Sequence, residues 1–577
     1  MRTHPIKRWQ LYPSQEPISR SLAEALRLPP LLGQILANRG FTDLEAAHRF
    51  LNPRLEDLAN PFLMKDMEKA VVRLEKALVE KEPLTIYGDY DVDGTTGSSL
   101  LYLFLRELKA NVEVYIPHRI QEGYGLNMQA LEKLRDQGRR LVVTVDNGIS
   151  SVNEAERART LGLDLIIIDH HQVPPKTPFA VAILNPKQED CSHPGKELAG
   201  VGVAFQLALA LRNHLRKKGF FQNFPEPNLK RYLDLVALGT IADLVPLTGQ
   251  NRILVKMGLD ILSDSQNPGV MALKEVAGVK GPVTPGQVGF RLGPRINAAG
   301  RLDSAKVGFE MLTCLDESLA RGFAAKLDQA NRERQALEET IVKQACEQVE
   351  SQGIPQKKRS IFVFDPAWHV GVIGIVASRL VDRYYLPTMV GTLEEGKIRC
   401  SARSISGLDL YQTLQECGEY LEKFGGHRQA AGLTLLHAKR EEFWEAFDRS
   451  VRARLTEEQF IPQVKVDAAI DPEVIEERFV EALERLAPFG MGNPEPIFWG
   501  KNLKISNQQR VGSDHLKLTF RTPKRFLDAI GFGMGSAEFS SPESLECVFS
   551  CQFNEWKGER KIQLRLIDFP RVFSPLL

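Results

Sequence analysis

Three times between residues 84 and 171 a short apolar, β-branched run ends in an acidic residue. LTIY (84–87) leads into GDYDVDG, LVVTV (141–145) into Asp146, and LDLIII (163–168) into Asp169, His170 and His171. With VEVYI (112–116) and VAIL (181–184), and helical stretches between them, these runs read as βαβ units of a parallel sheet. The carboxyl ends of such strands form one edge, where open α/β sheets bind ligands. The pattern therefore directs Asp89, Asp91, Asp93, Asp146, Asp169, His170 and His171 toward one place. A fourth apolar stretch, LVALGTIADLVPL, adds Asp243.

Alternate residues of an extended segment share a side, so Asp89, Asp91 and Asp93 can converge, and converging carboxylates repel unless cations neutralise them. The DxDxDG spacing also opens an EF-hand loop, but that loop needs a glutamate at its twelfth position. Here that position is Leu100, which excludes calcium of that type. Each motif alone admits a plainer reading, as an acidic turn, a helix N-cap or a core histidine. Four together, rich in carboxylate with one or two imidazoles, suit Mn²⁺ or Mg²⁺ rather than zinc.

The 577 residues are enough for about three or four domains. Lys+Arg 74 against Asp+Glu 73 leaves a net charge of +1, so any nucleic acid must meet local basic surfaces. Seven cysteines with no CxxC pair point to reduced thiols, and the N-terminal MRTHPIKRWQLYPSQ lacks the apolar run of a signal peptide. A cytoplasmic protein with no membrane association is expected. Residues 1–80 are helical in pattern and read as a cap on the sheet, followed by a parallel-sheet domain over 81–314. No proline occurs between Asp316 and Gln352, and Leu315, Leu319, Phe323 and Leu327, then Leu337, Ile341, Ala345 and Val349, recur every fourth residue. That spacing predicts one connecting helix over 315–352. A second α/β domain is expected over 353–460. The tail, 461–577, holds the short apolar runs HLKLTF, FLDAIGF, CVFSCQF and KIQLRLI, as in a small barrel, and from 501 onward carries 12 Lys/Arg against 8 Asp/Glu. Trp556, Phe520, Arg521, Lys524 and Arg525 are its candidate contacts to a single strand.

GDYDVDG, VDNG, DHH and GTIAD match, in order and approximate spacing, the motifs of the DHH phosphoesterase family, named for the triplet found here as Asp169-His170-His171. RLGPRINAAGRL, WHVGVIGIVASRL, RCSARS and FGGHRQAAG resemble the single-strand-specific 5′→3′ exonucleases of that family, the last segment being similar to the GGH signature of the DHH-associated domain. The resemblance covers nearly the whole chain. It implies an α/β fold of two lobes, a DHH parallel-sheet lobe and a DHH-associated lobe, joined by a long helix and followed by an OB-like barrel. It also implies two metal ions, Mn²⁺ or Mg²⁺. Asp93, Asp146, His170 and Asp243 would hold one and Asp91 and Asp146 the other, with His171 facing the scissile phosphate and a water between the ions as nucleophile. The wider family has a histidine four residues before the first ligand aspartate; this chain has Tyr87, which puts that ion in doubt unless Asp89 assists. Arg301, Ser401 and Arg403 are implied as contacts to a 5′ phosphate, with Arg295 in reserve and His427 on the strand's backbone. The implied activity is degradation of single-stranded DNA to mononucleotides in recombination and repair, with a single-strand-binding protein and a helicase as partners. The alternatives are an oligoribonuclease or cyclic-dinucleotide phosphodiesterase of the family, or a catalytically inert DNA-binding scaffold. Intact carboxylates at all four motifs speak against the scaffold.

Overall fold

The computed structural model describes residues 7–570, apart from 119–121, 124, 223, 303–305, 355, 513, 538, 540–543 and 557, and apart from the side chains of Arg301, Leu302, Ser544 and Trp556. The chain forms two compact units. One comprises Asp43–Arg332 with Arg485–Glu495, the other Met1–Thr42, Glu333–Glu484 and Pro496–Leu577.

In the first unit five parallel strands lie in the order Val112–Tyr115, Leu84–Gly88, Leu141–Val145, Asp164–Ile168, Ala182–Leu184. The strands Leu84–Gly88 and Leu141–Val145 are buried throughout, as their continuous apolar runs require of a sheet covered on both faces. One face packs on helices Met67–Val79, Val92–Glu107, Gly200–Lys217 and Leu233–Ala242. The other packs on Met128–Asp136 and Val152–Thr160, through Leu131, Leu134, Ala155 and Ala158. Register aligns the strand ends: Gly88 stands beside Val145, Val145 beside Ile168, and Ile168 beside Leu184. The ladder continues one step further, Asp89 N donating to Val145 O, Asp146 N to Ile168 O and Asp169 N to Leu184 O. Three aspartates thus leave the sheet along one line.

The second unit contains a mixed sheet in the order Leu421–Gly426, Ala430–Leu436, Lys397–Arg403, Thr388–Glu394, Ile361–Phe364, with helices Ile373–Tyr384 and Arg440–Arg454. It also contains a ring of strands. Phe498–Val511 pairs with both His515–Arg521 and Ser544–Trp556, and the ring is completed through Phe526–Phe532 and Glu559–Asp568. The apolar runs mark the last four of these strands but not Phe498–Val511, whose distal half is largely exposed and polar on both faces.

Two features differ from the sequence reading. Residues 1–80 do not form one cap, because strand Arg8–Leu11 pairs in parallel with Gln463–Val466 and helices Glu16–Leu26 and Pro30–Asn38 belong to the second unit. RWQL carries no local strand alternation, and a partner more than 450 residues away leaves no mark on it. The helix Glu317–Ser351 is continuous over 35 residues, but the face buried in its first half is Ala320, Ala324, Leu327 and Asn331. Leu315 precedes the helix and Leu319 is 62% exposed. Small alanines make the contact, and a count of large apolar residues missed them.

Leu327→Ala is therefore expected to destabilise the first unit by about 2–5 kcal/mol, and Leu319→Ala by no more than about 0.5 kcal/mol. Urea unfolding of the two variants compares them, and equal losses would contradict the assigned face.

Candidate metal centre

The strand Leu84–Gly88 turns sharply into helix Val92–Glu107. A side chain at Gly94 would lie 2.6 Å from Asp89 Cβ, so glycine is needed for the turn to close. Asp91 is the helix N-cap, one oxygen accepting from Gly94 N at 3.0 Å and leaving the other for a different partner. Asp93, in the first turn, is buried. Its carboxylate accepts from Gly200 N (2.6 Å) and Val201 N (2.8 Å), the first residues of an 18-residue helix whose N-terminal dipole favours the charge. Glycine at 200 permits this approach, since a Cβ there would stand 2.8 Å from Asp146 Cβ and 3.1 Å from Asp93 Oδ2.

Asp146 follows Val145 with φ of +64°, a left-handed conformation rare outside glycine and common where function over-determines the backbone. Asp169 accepts from Ile149 N at 2.9 Å, from His170 N at 2.7 Å and from His171 N at 3.1 Å, and its Oδ1 lies 2.7 Å from His171 Nδ1. Asp243 caps the C-terminus of helix Leu233–Ala242.

These elements bring His170 Nε2 within 3.1 Å of Asp146 Oδ1, 3.5 Å of Asp243 Oδ2 and 3.7 Å of Asp93 Oδ2. Donor atoms of Asp93, His170 and Asp243 lie within 4.8 Å of one another, as do those of Asp89, Asp91 and Asp146, and those of Asp146, His170 and His171. Burial, then the charges of Asp93 and Asp91, push the Asp243 carboxyl up to about 9. Burial, then Asp91, raises Asp93 to about 7 despite its two backbone donors. Asp146 is raised well above the carboxylate range by burial, then by Asp93, Asp91, Asp89 and Asp243. Burial, then His171, lowers His170 to about 3, which keeps it a neutral donor. Asp243 Oδ2 and His170 Nδ1 are buried without a hydrogen-bond partner among the described residues. Buried carboxylates that cannot all ionise together, beside a neutral imidazole, fit divalent cations and supply the oxygen-rich ligands Mn²⁺ and Mg²⁺ prefer.

The remaining expected site residues are placed as follows. Tyr87 is buried on the opposite face, stacked on Tyr115, its hydroxyl donating to Gly125 O and accepting from Asn127 Nδ2, both at 3.1 Å. It does not stand in for a histidine ligand, and the donors beside Asp91 are Asp89 and Asp146. Ser401 and Arg403 project from one face of strand Lys397–Arg403, with Arg403 Nη1 donating to Ser401 Oγ at 3.0 Å and to Ala402 O at 2.8 Å. His427 lies in the turn beyond Gly426 (φ +146°), its N–H donating to Ala430 O, and Ala430 is the register partner of Arg403. Arg295 corrects its reserve role: it donates to Asp328 and to Arg291 O, an internal ion pair rather than an open phosphate contact. The Arg301 side chain lies outside the described residues. The sequence directs Asp169 to the site without assigning it a role, which its bond to His171 now supplies, and the Gly200 and Val201 amides carry no motif that marks them.

Fold and site together define a DHH phosphoesterase. The model for the DHH family, N-terminal domain, matches residues 83–240, the DHHA1 domain 358–453 and the RecJ OB domain 466–568. The single-stranded-DNA-specific exonuclease RecJ of Bacillus subtilis is 40% identical over 568 residues, covering 97% of this chain and 70% of that protein. That of Escherichia coli is 37% identical over 559 residues, covering 94% and 96%. The crystal structure of RecJ in complex with Mn²⁺ from Thermus thermophilus superposes with a TM-score of 0.83 at 28% identity, covering 98% of this chain and 80% of that one. The chain belongs to the RecJ family.

Two outcomes follow from the geometry. Because Asp93 is raised to about 7 and Asp243 to about 9, cation binding displaces protons from them, so Mn²⁺ affinity is expected to rise from about pH 6 to about pH 9 with net proton release. Calorimetry in two buffers of different ionisation enthalpy measures that release, and a flat affinity would contradict it. Asp146→Ala removes the carboxylate common to two donor groups and is expected to lower turnover by about 10³-fold or more. Near-normal turnover with an intact circular dichroism spectrum would remove the shared role.

Proposed function

We propose that this chain is a metal-dependent exonuclease that degrades single-stranded DNA from its 5′ end to mononucleotides. The observation that carries the reading is the buried Asp146, whose carboxylate belongs to two groups of donor atoms, one with Asp89 and Asp91 and one with His170 and His171. On this reading Asp93, Asp146, His170 and Asp243 hold one divalent cation, and Asp91 and Asp146, assisted by Asp89, hold a second. The two ions supply screening of the diester's charge, acidification of water and stabilisation of the leaving oxygen. Asp146 fixes the spacing of the two positions. Gly200 N and Val201 N orient Asp93.

Burial lowers the His171 pKa, but the hydrogen bond and charge of Asp169, with the charges of Asp93 and Asp91, together outweigh it and raise the value overall. Asp169 is likewise pushed up by burial and held below the usual carboxylate range by His171 and the backbone donors. With Nδ1 committed to Asp169 and about half the side chain exposed, the other ring nitrogen offers a charged donor to a phosphate oxygen.

Direction rests on Arg403. Burial lowers its pKa, and no carboxylate pairs with it among the described residues. A desolvated guanidinium without a counter-ion favours an anion. A Cβ at Gly374 would stand 3.0 Å from Ser401 Oγ and 3.1 Å from Arg403 Nη2, so glycine there keeps both groups clear. Ser401 and Arg403 are assigned to the 5′ phosphate, with His427 on the strand's backbone. In the β-ring Phe520 is core, Lys524 pairs with Glu473 and Arg525 with Glu476, whereas Phe526 and Phe532 are exposed. Phe526 and Phe532 are therefore the assigned stacking platforms for unpaired bases.

We keep 81–314 for the phosphoesterase domain, 353–460 for the DHH-associated domain and 461–577 for the strand-binding domain. Recombination and repair are the assigned setting, with a helicase to open duplexes and a single-strand-binding protein on the displaced strand. The seven cysteines, none in a disulfide among the described residues, support a cytoplasmic location.

The test is digestion of strands labelled at either end, as DNA or RNA, single or double. Label at the 5′ end is expected in mononucleotide first, on single-stranded DNA. Arg403→Ala is expected to shrink the preference for a 5′ phosphate over a 5′ hydroxyl by about one to two powers of ten, with the metal requirement unchanged. Equal preference in both enzymes would remove the assignment, and early release of 3′ label would reverse the direction.

A further inference from the structure

Asp243 occupies an irregular bend. Leu244 follows it with φ of +62° and a largely exposed side chain, and Asp243 Oδ2 has no hydrogen-bond partner among the described residues. Something other than the carboxylate's own bonds must fix the bend between helices Leu233–Ala242 and Gly249–Ser263. The chain supplies it from a distant place. Arg485–Glu495 packs with the unit of the metal centre, although the residues on either side of it belong to the other unit.

The contacts are specific. Leu247 N donates to Met491 O at 2.8 Å. Gly490 and Gly492 lie against Leu247 and Pro246 so closely that a Cβ would stand 2.7 Å from Leu247 Cδ1 and 2.9 Å from Pro246 Cβ, respectively. Gly492 also has φ of +72°. Beneath them the buried Arg252 donates to the carbonyls of Leu486 and Ala487 at 2.9 Å and of Arg485 at 3.3 Å, and its Nε donates to Phe50 O at 2.7 Å. Asn493, fully buried, donates to Leu486 O at 2.9 Å and Pro488 O at 2.8 Å. Asn251, next to Arg252 in the chain, donates to Pro246 O and to Glu197 O. Glu197 stands three residues before Gly200, whose amide holds Asp93. Two carboxylates assigned to the same ion are thus tied to one rigid network.

We propose that Leu486–Asn493 is a positioning strap for the metal centre: by gripping Pro246 and Leu247 it holds the bend that presents Asp243. It touches no reacting atom and acts through the ligand. Groups that orient metal ligands commonly govern affinity nearly as strongly as the ligands themselves. The inference rests on the assignment of Asp243 as a ligand. It also carries a consequence for deletion experiments, because removing 461–577 takes away the strap along with the β-ring.

The test is a titration of the full-length protein with Mn²⁺ alone, without DNA, followed by loss of the free-ion electron paramagnetic resonance signal. Wild type is expected to take up two ions. Gly492→Ala, which drives a Cβ into Pro246, is expected to weaken one of the two steps by about tenfold and leave the other in place. Gly281→Ala is the control: it strains a glycine of similar φ (+67°) in the same unit with no atom within 4 Å, and both steps are expected to match wild type. If Gly492→Ala does not fold, Gly490→Ala meets only the flexible Leu247 side chain and is expected to weaken the same step by a smaller factor. Both steps unchanged in the folded strap variant, or both weakened equally, would overturn the strap. Fewer than two ions on wild type would overturn the metal assignment itself, and the strap with it.

Discussion

The arrangement on which the rest of the site depends is the enclosure of Asp89, Asp93 and Asp146 with Asp91 and Asp243 around the neutral ring of His170. Five carboxylates so close in a buried place repel, and without cations the least solvated of them keep their protons. The fold holds them there regardless. Strand register brings Asp89 and Asp146 to one edge, the left-handed turn at Asp146 aims it inward, and the first amides of helix Gly200–Lys217 fix Asp93. The repulsion is thereby turned into affinity for divalent ions, since ligands already in place need little ordering when the ion arrives.

A different solution serves the charges we assign to substrate. Asp169 receives three backbone donors and pairs with His171, which orients that imidazole and raises its pKa. Arg403 has a hydroxyl and a carbonyl as partners but no carboxylate, which leaves its charge to be answered from outside. Where the protein neutralises a group internally, as with Arg295 and Asp328, that group drops out of the candidates.

Much of this was legible in the sequence because parallel strands buried on both faces are written as continuous apolar runs, and the acids stand immediately after them. All five strands of the parallel sheet could be read that way, with Asp89, Asp146 and Asp169 just beyond three of them, whereas the stretch before Asp243 read like a fourth such run and is helix Leu233–Ala242. What could not be read has physical causes. Arg8–Leu11 and Phe498–Val511 take their strand character from distant partners rather than from local alternation. The buried face of the long helix is made by alanines, which a search for large apolar residues passes over. Phe520 reads as an aromatic beside basic residues, yet strand alternation turns it into the core and leaves Phe526 and Phe532 outside. The strap escaped because it is held through its own backbone carbonyls, which carry no sequence signature.

The central claim is that one buried carboxylate, Asp146, is shared by two ions held by the residues named here. The most direct measurement is an anomalous-difference map from crystals of the protein grown with Mn²⁺. The account predicts two peaks, one contacted by Asp93, His170 and Asp243, the other by Asp91 with Asp89 beside it, and Asp146 contacting both at roughly 2.0–2.3 Å. A single peak, or two that leave Asp146 uncoordinated, would contradict it.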